Sequence, residues 1–262
     1  MAYSRLSVAR FYEKEPEAYW ALSRDRDFDA QIAAAVSLLG NEPRAVADLF
    51  AGPAYHGAAL RRRFAACDVV AIDASPAMRD VAARFEGFPA ENYFVSPLGE
   101  GRTWPVRSPL CMALILRYSI GYLDDDQFIT FLSTVHDALR PGGLVLIELH
   151  SIPLLFGGLQ DLGIKSRTVE IDGRRITCEW PDGPLMWRSD SWTVEMPLTV
   201  SWAEKTGALR DEKYLSIERI YSEREIVVAA SRCFGLEQVE IGETERAAFP
   251  DGELVCLRRP DA

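Results

Sequence analysis

Two aspartates close two short apolar segments of the chain, 25 residues apart. Asp48 lies near the end of Val46–Phe50, directly before a tight turn that contains Gly52, and Asp73 ends the run Val69–Asp73. In an open α/β sheet, strands that deliver acids at their carboxyl ends hold a nucleoside-bearing cofactor. We therefore predict a nucleoside site built from Asp48, the Gly52 turn and Asp73.

The charge of Asp48 discriminates between nucleoside cofactors. A dinucleotide would place its pyrophosphate on this turn, where a carboxylate repels it, and the turn lacks a G-x-G-x-x-G sequence. S-adenosylmethionine has no phosphate, and it carries a cationic amine and a sulfonium that a carboxylate attracts. The residues therefore favour S-adenosylmethionine.

The composition limits the classes of partner. The chain has 262 residues, with 48% apolar and 26% charged residues, which is ordinary for a globular protein with an ample core. No apolar run approaches the ~18 residues of a membrane span, and we expect no membrane partner. A net charge of −10 disfavours nucleic acid as a partner. Five scattered cysteines without C-x-x-C spacing predict neither disulfides nor a metal site, and a cytoplasmic location is expected.

Helical and strand periodicities alternate over most of the chain, which predicts an α/β fold with a doubly wound sheet. Predicted helices cover 16–22, 28–39, 57–65, 76–85, 125 to the stop at Pro141, and 223–233. Predicted strands cover 46–50, 68–72, 92–95, 111–116, 144–149, 236–241 and 253–257.

Between residues 165 and 221 the pattern changes to antiparallel β-structure. Thr168–Ile171 and Arg175–Trp180 flank an Asp172-Gly173 turn, and the segments 192–202 and 214–221 form a second pair. We therefore predict three regions: an N-terminal helical cap at 1–42, a cofactor-binding domain at 43–150 and 222–262, and an antiparallel β insertion at 151–221 that forms a substrate lid.

Four segments, in this order, resemble class I S-adenosylmethionine-dependent methyltransferases. They are DLFAGPAYHG from Asp48, AIDASPAM from Ala71, LRYSIGYL from Leu116 and ALRPGGLVLIEL from Ala138. The YSIGYL segment and the β insertion after strand five further resemble small-molecule N-methyltransferases that act on amino sugars or glycine-like amines. The resemblance implies a Rossmann-like seven-stranded sheet with its last strand antiparallel, S-adenosylmethionine as cofactor, and a small-molecule methyl acceptor.

The chain departs from the family pattern at two places. Phe50 and Ala54 stand where the family usually has glycines, and the Phe50 side chain is expected to point into the core. After the third strand, where the family often has an acid facing the adenine amine, this chain has Ser96 between Val95 and Pro97.

The resemblance assigns the predicted cofactor residues. Asp48 would hold the methionine amine, or alternatively cap the following turn; Gly52 would let the backbone approach the cofactor; and Asp73 would bind both ribose hydroxyls. Ala74 and Met78 would pack against adenine, although Met78 also suits plain helix core. The complete predicted set is Asp48, Ala51, Gly52, Ala54, Asp73, Ala74, Met78, Ser96, Leu98, Leu116, and Tyr12 and Tyr19 as a flap over the sulfonium, for which helix packing is the alternative.

Residues after strands four and five are the predicted catalytic and substrate groups, because ligands of open sheets bind at carboxyl strand ends. His150, Tyr118 and Tyr122 are the catalytic candidates. The predicted substrate contacts are Arg117, His150, Trp187 and Trp192. Arg117 could instead pair with a surface acid, and the tryptophans also suit core packing between the insertion and the sheet. His56 and His136 are expected to be capping, surface or core residues, and no metal ligands are predicted.

The sequence thus predicts transfer of a methyl group from S-adenosylmethionine to an amine, less favourably a hydroxyl, by in-line displacement. Three alternatives stay open at this point. They are a methyltransferase-fold protein that binds the cofactor but catalyses another reaction or none, a nicotinamide-dependent dehydrogenase, and a docking protein that uses the tryptophan-rich insertion. A homodimer is compatible with the sequence, which does not fix the oligomeric state.

Overall fold

The computed structural model describes residues 6–101, 103–158, 166–203 and 209–261. Its contacts divide the chain into two compact units. The core unit comprises residues 27–151 and 220–262, and the insertion unit comprises residues 1–26 and 152–219.

The elements are numbered along the chain. The α-helices are α1 (Val8–Lys14), α2 (Pro16–Leu22), α3 (Phe28–Leu39), α4 (Tyr55–Arg63), α5 (Pro76–Val81), α6 (Asp125–Ala138), α7 (Ile152–Gly158), α8 (Glu223–Phe234) and α9 (Glu243–Ala247). The strands are β1 (Leu6–Ser7), β2 (Ala45–Leu49), β3 (Asp68–Asp73), β4 (Tyr93–Val95), β5 (Leu110–Ile115), β6 (Leu139–His150), β7 (Ser166–Ile171), β8 (Arg174–Glu179), β9 (Met186–Arg188), β10 (Thr193–Ala203), β11 (Leu209–Arg219), β12 (Glu237–Val239) and β13 (Gly252–Arg258). A π-helical segment at Ala82–Glu86 continues α5, and short 3-10 turns lie at Ala90–Asn92 and Ser119–Tyr122.

The core unit contains a seven-stranded sheet in the order β12-β13-β6-β5-β2-β3-β4. Strands β6, β5, β2, β3 and β4 run parallel, and the last strand, β13, is antiparallel to both of its neighbours. The prediction of a Rossmann-like sheet with an antiparallel last strand is therefore confirmed. The chain moves outward from β2 in both directions, so the point where the strand order reverses lies between β2 and β5. At such a point ligands bind beyond the carboxyl strand ends.

Apolar residues explain why these segments form a central sheet. Every residue of β2 and of β5 is buried, as a parallel sheet covered on both faces requires. Phe131 and Leu132 of α6 and Ile226 of α8 pack with these strands in one continuous core. The amphipathic helices therefore fix the strands, and the strands fix the residues at their ends.

Helix termini agree closely with the capping signals in the sequence. The Asp27 side chain accepts the Ala30 N–H at the start of α3, and Asp124 and Ser222 each close a complete capping box. The predicted start of helix four was two residues late, because α4 begins at Tyr55.

The Pro141-Gly142-Gly143 segment was wrongly predicted to separate helix from strand. In the structure β6 already begins at Leu139, which pairs with Leu110 of β5, and the register shifts beside this pairing. A Cβ at Gly143 would lie 2.9 Å from the carbonyl oxygens of Leu110 and Arg140. Gly143 therefore permits a close backbone approach within a continuous, irregular strand.

The insertion unit contains a second sheet in the order β1-β11-β10-β8-β7, with β9 paired to β10. Strands β7 and β8 form the predicted hairpin, and its turn residues Asp172 and Gly173 have φ of 52° and 71°. Phe11 of α1 packs against Tyr214 of β11, so the N-terminal helices and the insertion share one hydrophobic core.

The observed division differs from the predicted region boundaries at α3. The prediction assigned residues 1–42 to one N-terminal cap, whereas α3 packs on α4 and α9 in the core unit. Gln31 of α3 donates its side-chain amide to the Ala248 carbonyl and also contacts His56 of α4. The role of the insertion as a substrate lid stays a prediction. Within the described ranges, no helix is both long and apolar enough to cross a membrane.

Candidate active site

Strand β2 places Asp48 at the carboxyl edge of the core-unit sheet, with 2% of the residue exposed. Its Oδ2 accepts a hydrogen bond from the backbone N–H of Gly57, in the first turn of α4, at 2.9 Å. A Cβ at Gly57 would lie 2.9 Å from the Phe88 ring and 3.3 Å from Asp48 Oδ2. The sequence analysis left open a capping role for Asp48, and this contact provides one; binding of a ligand amine by the same carboxylate stays a prediction.

The pKa of the Asp48 carboxyl lies near neutral pH. Burial raises its pKa from 3.8 to about 7; the hydrogen bond from Gly57 lowers the pKa, and the charge of Asp73 raises it further. A positive group beside a buried carboxyl favours its ionised form. The electrostatics of Asp48 therefore suit a cationic ligand.

Asp73, at the end of β3, organises the Gly52 turn. Its Oδ2 accepts the Gly52 N–H at 2.8 Å, and its Oδ1 accepts the Ser75 N–H at 2.9 Å. Burial raises the pKa of Asp73, while its backbone hydrogen bonds lower it. The Tyr93 hydroxyl donates to the Gly52 carbonyl at 2.7 Å, so the turn is held on both sides. Because a carboxylate offers about four lone pairs, Asp73 retains acceptor capacity for ligand hydroxyls.

The Ser75 hydroxyl accepts the Met78 N–H and caps α5. Ser75 thus caps the helix that follows β3, whereas Asp73 braces the Gly52 turn.

Three turn residues adopt left-handed backbone conformations: Phe50, Gly52 and Ala54 have φ of 54°, 50° and 56°. Such a conformation costs a non-glycine residue roughly 1–2 kcal/mol. The Phe50 ring lies 5.6 Å from the ring of Phe131, centroid to centroid, in the hydrophobic core, as predicted. The family usually has a glycine at this position, and glycine adopts a left-handed conformation without strain. In this chain the packing of the Phe50 ring offsets the strain.

The remaining predicted cofactor residues differ in how much surface they offer. Ala74 is exposed, and Ala51 and Ser96 are partly exposed. Met78, Leu98 and Leu116 are only 2%, 7% and 4% exposed. These three side chains are buried in the core and therefore leave little exposed surface for contact with an adenine ring. The Ser96 N–H donates to the Asp73 carbonyl, which keeps Ser96 beside the β3 end.

A second group of candidates follows β5 and β6, beside the first. Arg117 and Tyr118 are consecutive residues with φ of 58° and 63°. The Tyr118 ring stacks on the ring of His150, with 4.2 Å between centroids and 21° between planes. The structure thus brings together three of the predicted residues, Arg117, Tyr118 and His150, at one edge of the sheet. Tyr122 ends the 3-10 turn that follows and is 38% exposed.

The sequence analysis missed Glu148, which supports this second group. Glu148 is fully buried in β6, and its Oε2 accepts the Arg117 backbone N–H at 2.7 Å. One signal for it was present: a carboxylate inside the apolar run Leu144–Leu149 must find a partner when the strand is buried.

The other histidines lie apart from these groups. His56 is buried on α4, where its Nε2 lies 2.9 Å from the Gln31 side-chain oxygen and its ring lies edge-on to Phe28. His136 pairs with Asp137 on α6. The partly exposed His136 agrees with the expected surface or core role, whereas the contact of the buried His56 with Gln31 of α3 was not predicted.

The aromatic candidates of the insertion unit form two clusters of their own. Tyr12 and Tyr19 lie 4.7 Å apart, centroid to centroid, on the core of that unit. Trp187 contacts both Phe156, at 5.0 Å, and Trp192, at 5.4 Å, and Trp192 is 48% exposed. Packing is thus one role of these aromatics, and their contact with cofactor or substrate stays a prediction.

Two further features bear on ligands. An open cavity of about 690 Å³ in the core unit is lined by Trp104, Thr130 and Phe234 among others, and it includes none of the predicted site residues.

Among the residues that the structure describes, no cluster of three His, Cys, Asp or Glu side chains is arranged to hold a metal ion.

One segment of the chain, which carries the first site group, is similar to a known protein family. Residues 46–143 match a protein family described as "Methyltransferase domain", and this segment includes Asp48, the Gly52 turn, Asp73 and Tyr118. No curated protein matches the sequence significantly.

Solved structures with the same fold cover the chain almost completely. The sugar N-methyltransferase KedS8 from Streptoalloteichus is 19% identical, with a TM-score of 0.75 over 100% of this chain and 97% of its own. DesVI of Streptomyces venezuelae is 18% identical, with a TM-score of 0.71 over 99% and 100%. CalS10, an amino pentose methyltransferase from Micromonospora echinaspora solved with S-adenosylmethionine bound, is 15% identical, with a TM-score of 0.67 over 99% of each chain. At these identities the similarity establishes the fold.

Proposed function

We propose that this protein, a methyltransferase by the family of its residues 46–143, transfers the methyl group of S-adenosylmethionine to an amine of a sugar-like small molecule. One observation carries the proposal. Two adjacent parallel strands bring the buried carboxyl of Asp48 and the partly buried carboxyl of Asp73 to the Gly52 turn. Two acids at this point suit a nucleoside with a cationic amine and disfavour a pyrophosphate.

The residues present fit S-adenosylmethionine chemically. Asp48, with its pKa near 7, gains a counter-ion when an ammonium group lies beside it, which offsets the penalty of burying the charge. Asp73 keeps acceptor capacity for a pair of hydroxyls while it fixes the Gly52 backbone. Exposed Ala74 offers a small apolar surface for the base. When bound, S-adenosylmethionine supplies a methyl group on positively charged sulfur, open to in-line displacement.

The Arg117–Tyr118 turn and His150 form the acceptor side in this proposal. An alkylamine with a pKa of ~10.4 costs about 4–5 kcal/mol to neutralise at pH 7, and a nearby imidazole can take up the proton. His150 is the group we assign to that step. Tyr118 limits where the imidazole can lie by stacking on it. The fixed position matters because alignment of nucleophile, methyl group and sulfur accounts for most of the rate.

An amine is the proposed acceptor for two reasons. A protein with a net charge of −10 attracts cationic substrates to its surface. Two proteins of the same fold are described as a sugar N-methyltransferase and an amino pentose methyltransferase. These similarities support a sugar-like amine over a hydroxyl as the nucleophile.

Calorimetry and a methylation assay test the proposal. We expect the purified protein to bind S-adenosylmethionine, and to methylate members of a panel of amino pentoses and amino hexoses. The matched control is the parent sugar with a hydroxyl in place of each amine, which we expect to react far more slowly. Binding of NAD instead of S-adenosylmethionine would refute the cofactor assignment, and methylation of the hydroxyl controls alone would refute the amine.

A further inference from the structure

Glu148 is the buried charged group of the core unit that the proposed function has not yet used. It lies on β6 two residues before His150, so the two side chains project from the same face of the strand. His150 stacks on Tyr118, and Glu148 accepts the N–H of Arg117, the residue before Tyr118. Strand β6 therefore contacts the Arg117–Tyr118 turn twice, through Glu148 at the Arg117 backbone and through His150 at the Tyr118 ring.

The turn needs such a contact because its backbone is strained. Arg117 and Tyr118 both have left-handed φ values, and neither is glycine. Together they cost roughly 2–4 kcal/mol, at about 1–2 kcal/mol for each residue. The short hydrogen bond of 2.7 Å from the Arg117 N–H to the Glu148 side chain offsets part of this cost.

A glycine in the neighbouring strand leaves the space that Glu148 occupies. Gly252 of β13 pairs with His150, and a Cβ on Gly252 would lie 2.7 Å from both Cγ and Oε1 of Glu148. Real side chains do not approach so closely, so an alanine at position 252 would force the carboxylate to move. This second observation identifies a variant that displaces Glu148 without changing it.

We propose that Glu148 is a positioning residue for the acceptor side of the site: its carboxylate holds the Arg117–Tyr118 turn in its left-handed conformation, and thereby places Tyr118 against His150. The expected effect on methylation rests on the proposed function, whereas the placement of Tyr118 by Glu148 does not depend on it. The hydrogen bonds at Asp48 and Asp73 involve Gly57, Gly52 and Ser75, so we expect loss of Glu148 to leave the proposed cofactor side of the site in place.

Nuclear magnetic resonance of the histidine rings tests the placement directly. The chain has three histidines, so the His150 signal is assigned by its absence in His150→Gln. Stacking on Tyr118 shifts the His150 ring protons upfield, and Tyr118→Leu supplies the unstacked reference. We expect Glu148→Leu and Gly252→Ala to move the His150 signal to that reference, whereas Glu148→Gln, which keeps an acceptor oxygen, retains the shift.

Binding and rate measurements separate positioning from general support of the fold. We expect Glu148→Leu to lower the rate of methylation of pooled amino pentoses and hexoses roughly 100-fold at saturating S-adenosylmethionine, with unchanged affinity for the cofactor. Glu148→Gln should recover most of this rate. Glu253→Leu, one residue from Gly252 and facing the opposite side of β13, is the matched control and should behave like the wild type.

Two results would overturn the inference: an unchanged His150 shift in both Glu148→Leu and Gly252→Ala, or a loss of cofactor affinity that parallels the loss of rate. If Glu148→Leu does not fold, Gly252→Ala and Glu148→Gln decide the question by the same shift. A wild-type protein that binds no S-adenosylmethionine would instead refute the proposed function, and the histidine shifts would still decide whether Glu148 places Tyr118.

Discussion

The Gly52 turn and the Arg117–Tyr118 turn both have a strained backbone, and in each a carboxyl group from another strand accepts a backbone N–H of the turn. Both follow a buried parallel strand, and both hold non-glycine residues in left-handed conformations. Each turn is braced by a carboxyl group on the next strand along the chain: Asp73 of β3 lies 21 residues from Gly52, and Glu148 of β6 lies 31 residues from Arg117. The comparison teaches that the two acids differ in how visible they are in the sequence: Asp73 ends its strand next to a turn motif, whereas Glu148 lies inside the apolar run Leu144–Leu149.

The largest expected effect comes from Asp48→Asn. Asparagine keeps an oxygen for the Gly57 N–H but removes the charge that we propose holds the ammonium group of the cofactor. We expect the affinity for S-adenosylmethionine to fall on the order of 100-fold, as for other buried charge pairs that lose one partner. Calorimetry measures the change, with Asp68→Asn at the opposite end of β3 as the matched control.

The same substitution should stabilise the free protein. Because the pKa of Asp48 is raised from 3.8 to about 7, the folded chain takes up a proton between those values, and stability falls as the pH rises from about 4 to about 7. At about 1.36 kcal/mol for each pH unit, removing the charge increases the free energy of unfolding at pH 7 by up to about 4 kcal/mol. A lower melting temperature in Asp48→Asn would contradict this account of the site.

The next largest effect is on the pH dependence of binding. A cationic ligand needs Asp48 ionised, and burial holds the pKa of the free carboxyl near 7. Affinity for S-adenosylmethionine should therefore drop about tenfold for each pH unit below 7, until the lower pKa of the complex is reached. Titration calorimetry between pH 5 and 8 measures the slope. A slope that survives in Asp48→Asn would assign the effect to Asp73 instead.

A smaller effect is expected from Phe50→Gly in the first turn. Glycine relieves the left-handed strain, worth roughly 1–2 kcal/mol, but loses the packing of a partly buried ring on Phe131, worth about 3 kcal/mol. We expect the free energy of unfolding to fall by about 1–2 kcal/mol in denaturant titrations. A gain in stability would mean that strain outweighs packing at this position.

The smallest effect is expected from Ala54→Gly. Ala54 has a left-handed φ of 56° and loses only a methyl group on substitution, so relief of strain should dominate. We expect the free energy of unfolding to rise by about 1 kcal/mol. Ala58→Gly, inside α4, is the matched control and should destabilise by about 1 kcal/mol, because glycine weakens a regular helix. Destabilisation of similar size by both changes would argue against strain in the turn.

Sequence reasoning succeeded where the cause of a structure lies within a few residues. The strands that carry Asp48 and Asp73, the caps at Asp27, Ser75 and Ser222, and the hairpin at Asp172-Gly173 all follow from local periodicity and capping. The stabilising contacts of the caps and of the hairpin join residues close in the chain. The fold class and the residues of the first turn could therefore be predicted.

It failed where the cause is a distant partner. Pairing with β5 extends β6 back to Leu139, and contacts with α4 and α9 place α3 in the core unit. Glu148 contacts Arg117, 31 residues away, and occupies space beside Gly252. The burial of Leu98 was equally hidden, since this residue is only 7% exposed and packs in the core around the seven-stranded sheet. Each of these features depends on tertiary packing, which periodicity along one segment does not contain.

The composition of the insertion unit has a practical consequence for protein engineering. Residues 1–26 and 152–219 share one sheet and one hydrophobic core, because β1 pairs with β11 and Phe11 packs on Tyr214. A chimera that exchanged residues 152–219 alone with those of another enzyme would leave the first two helices without their matching surface. A working chimera would therefore have to exchange residues 1–26 and residues 152–219 together.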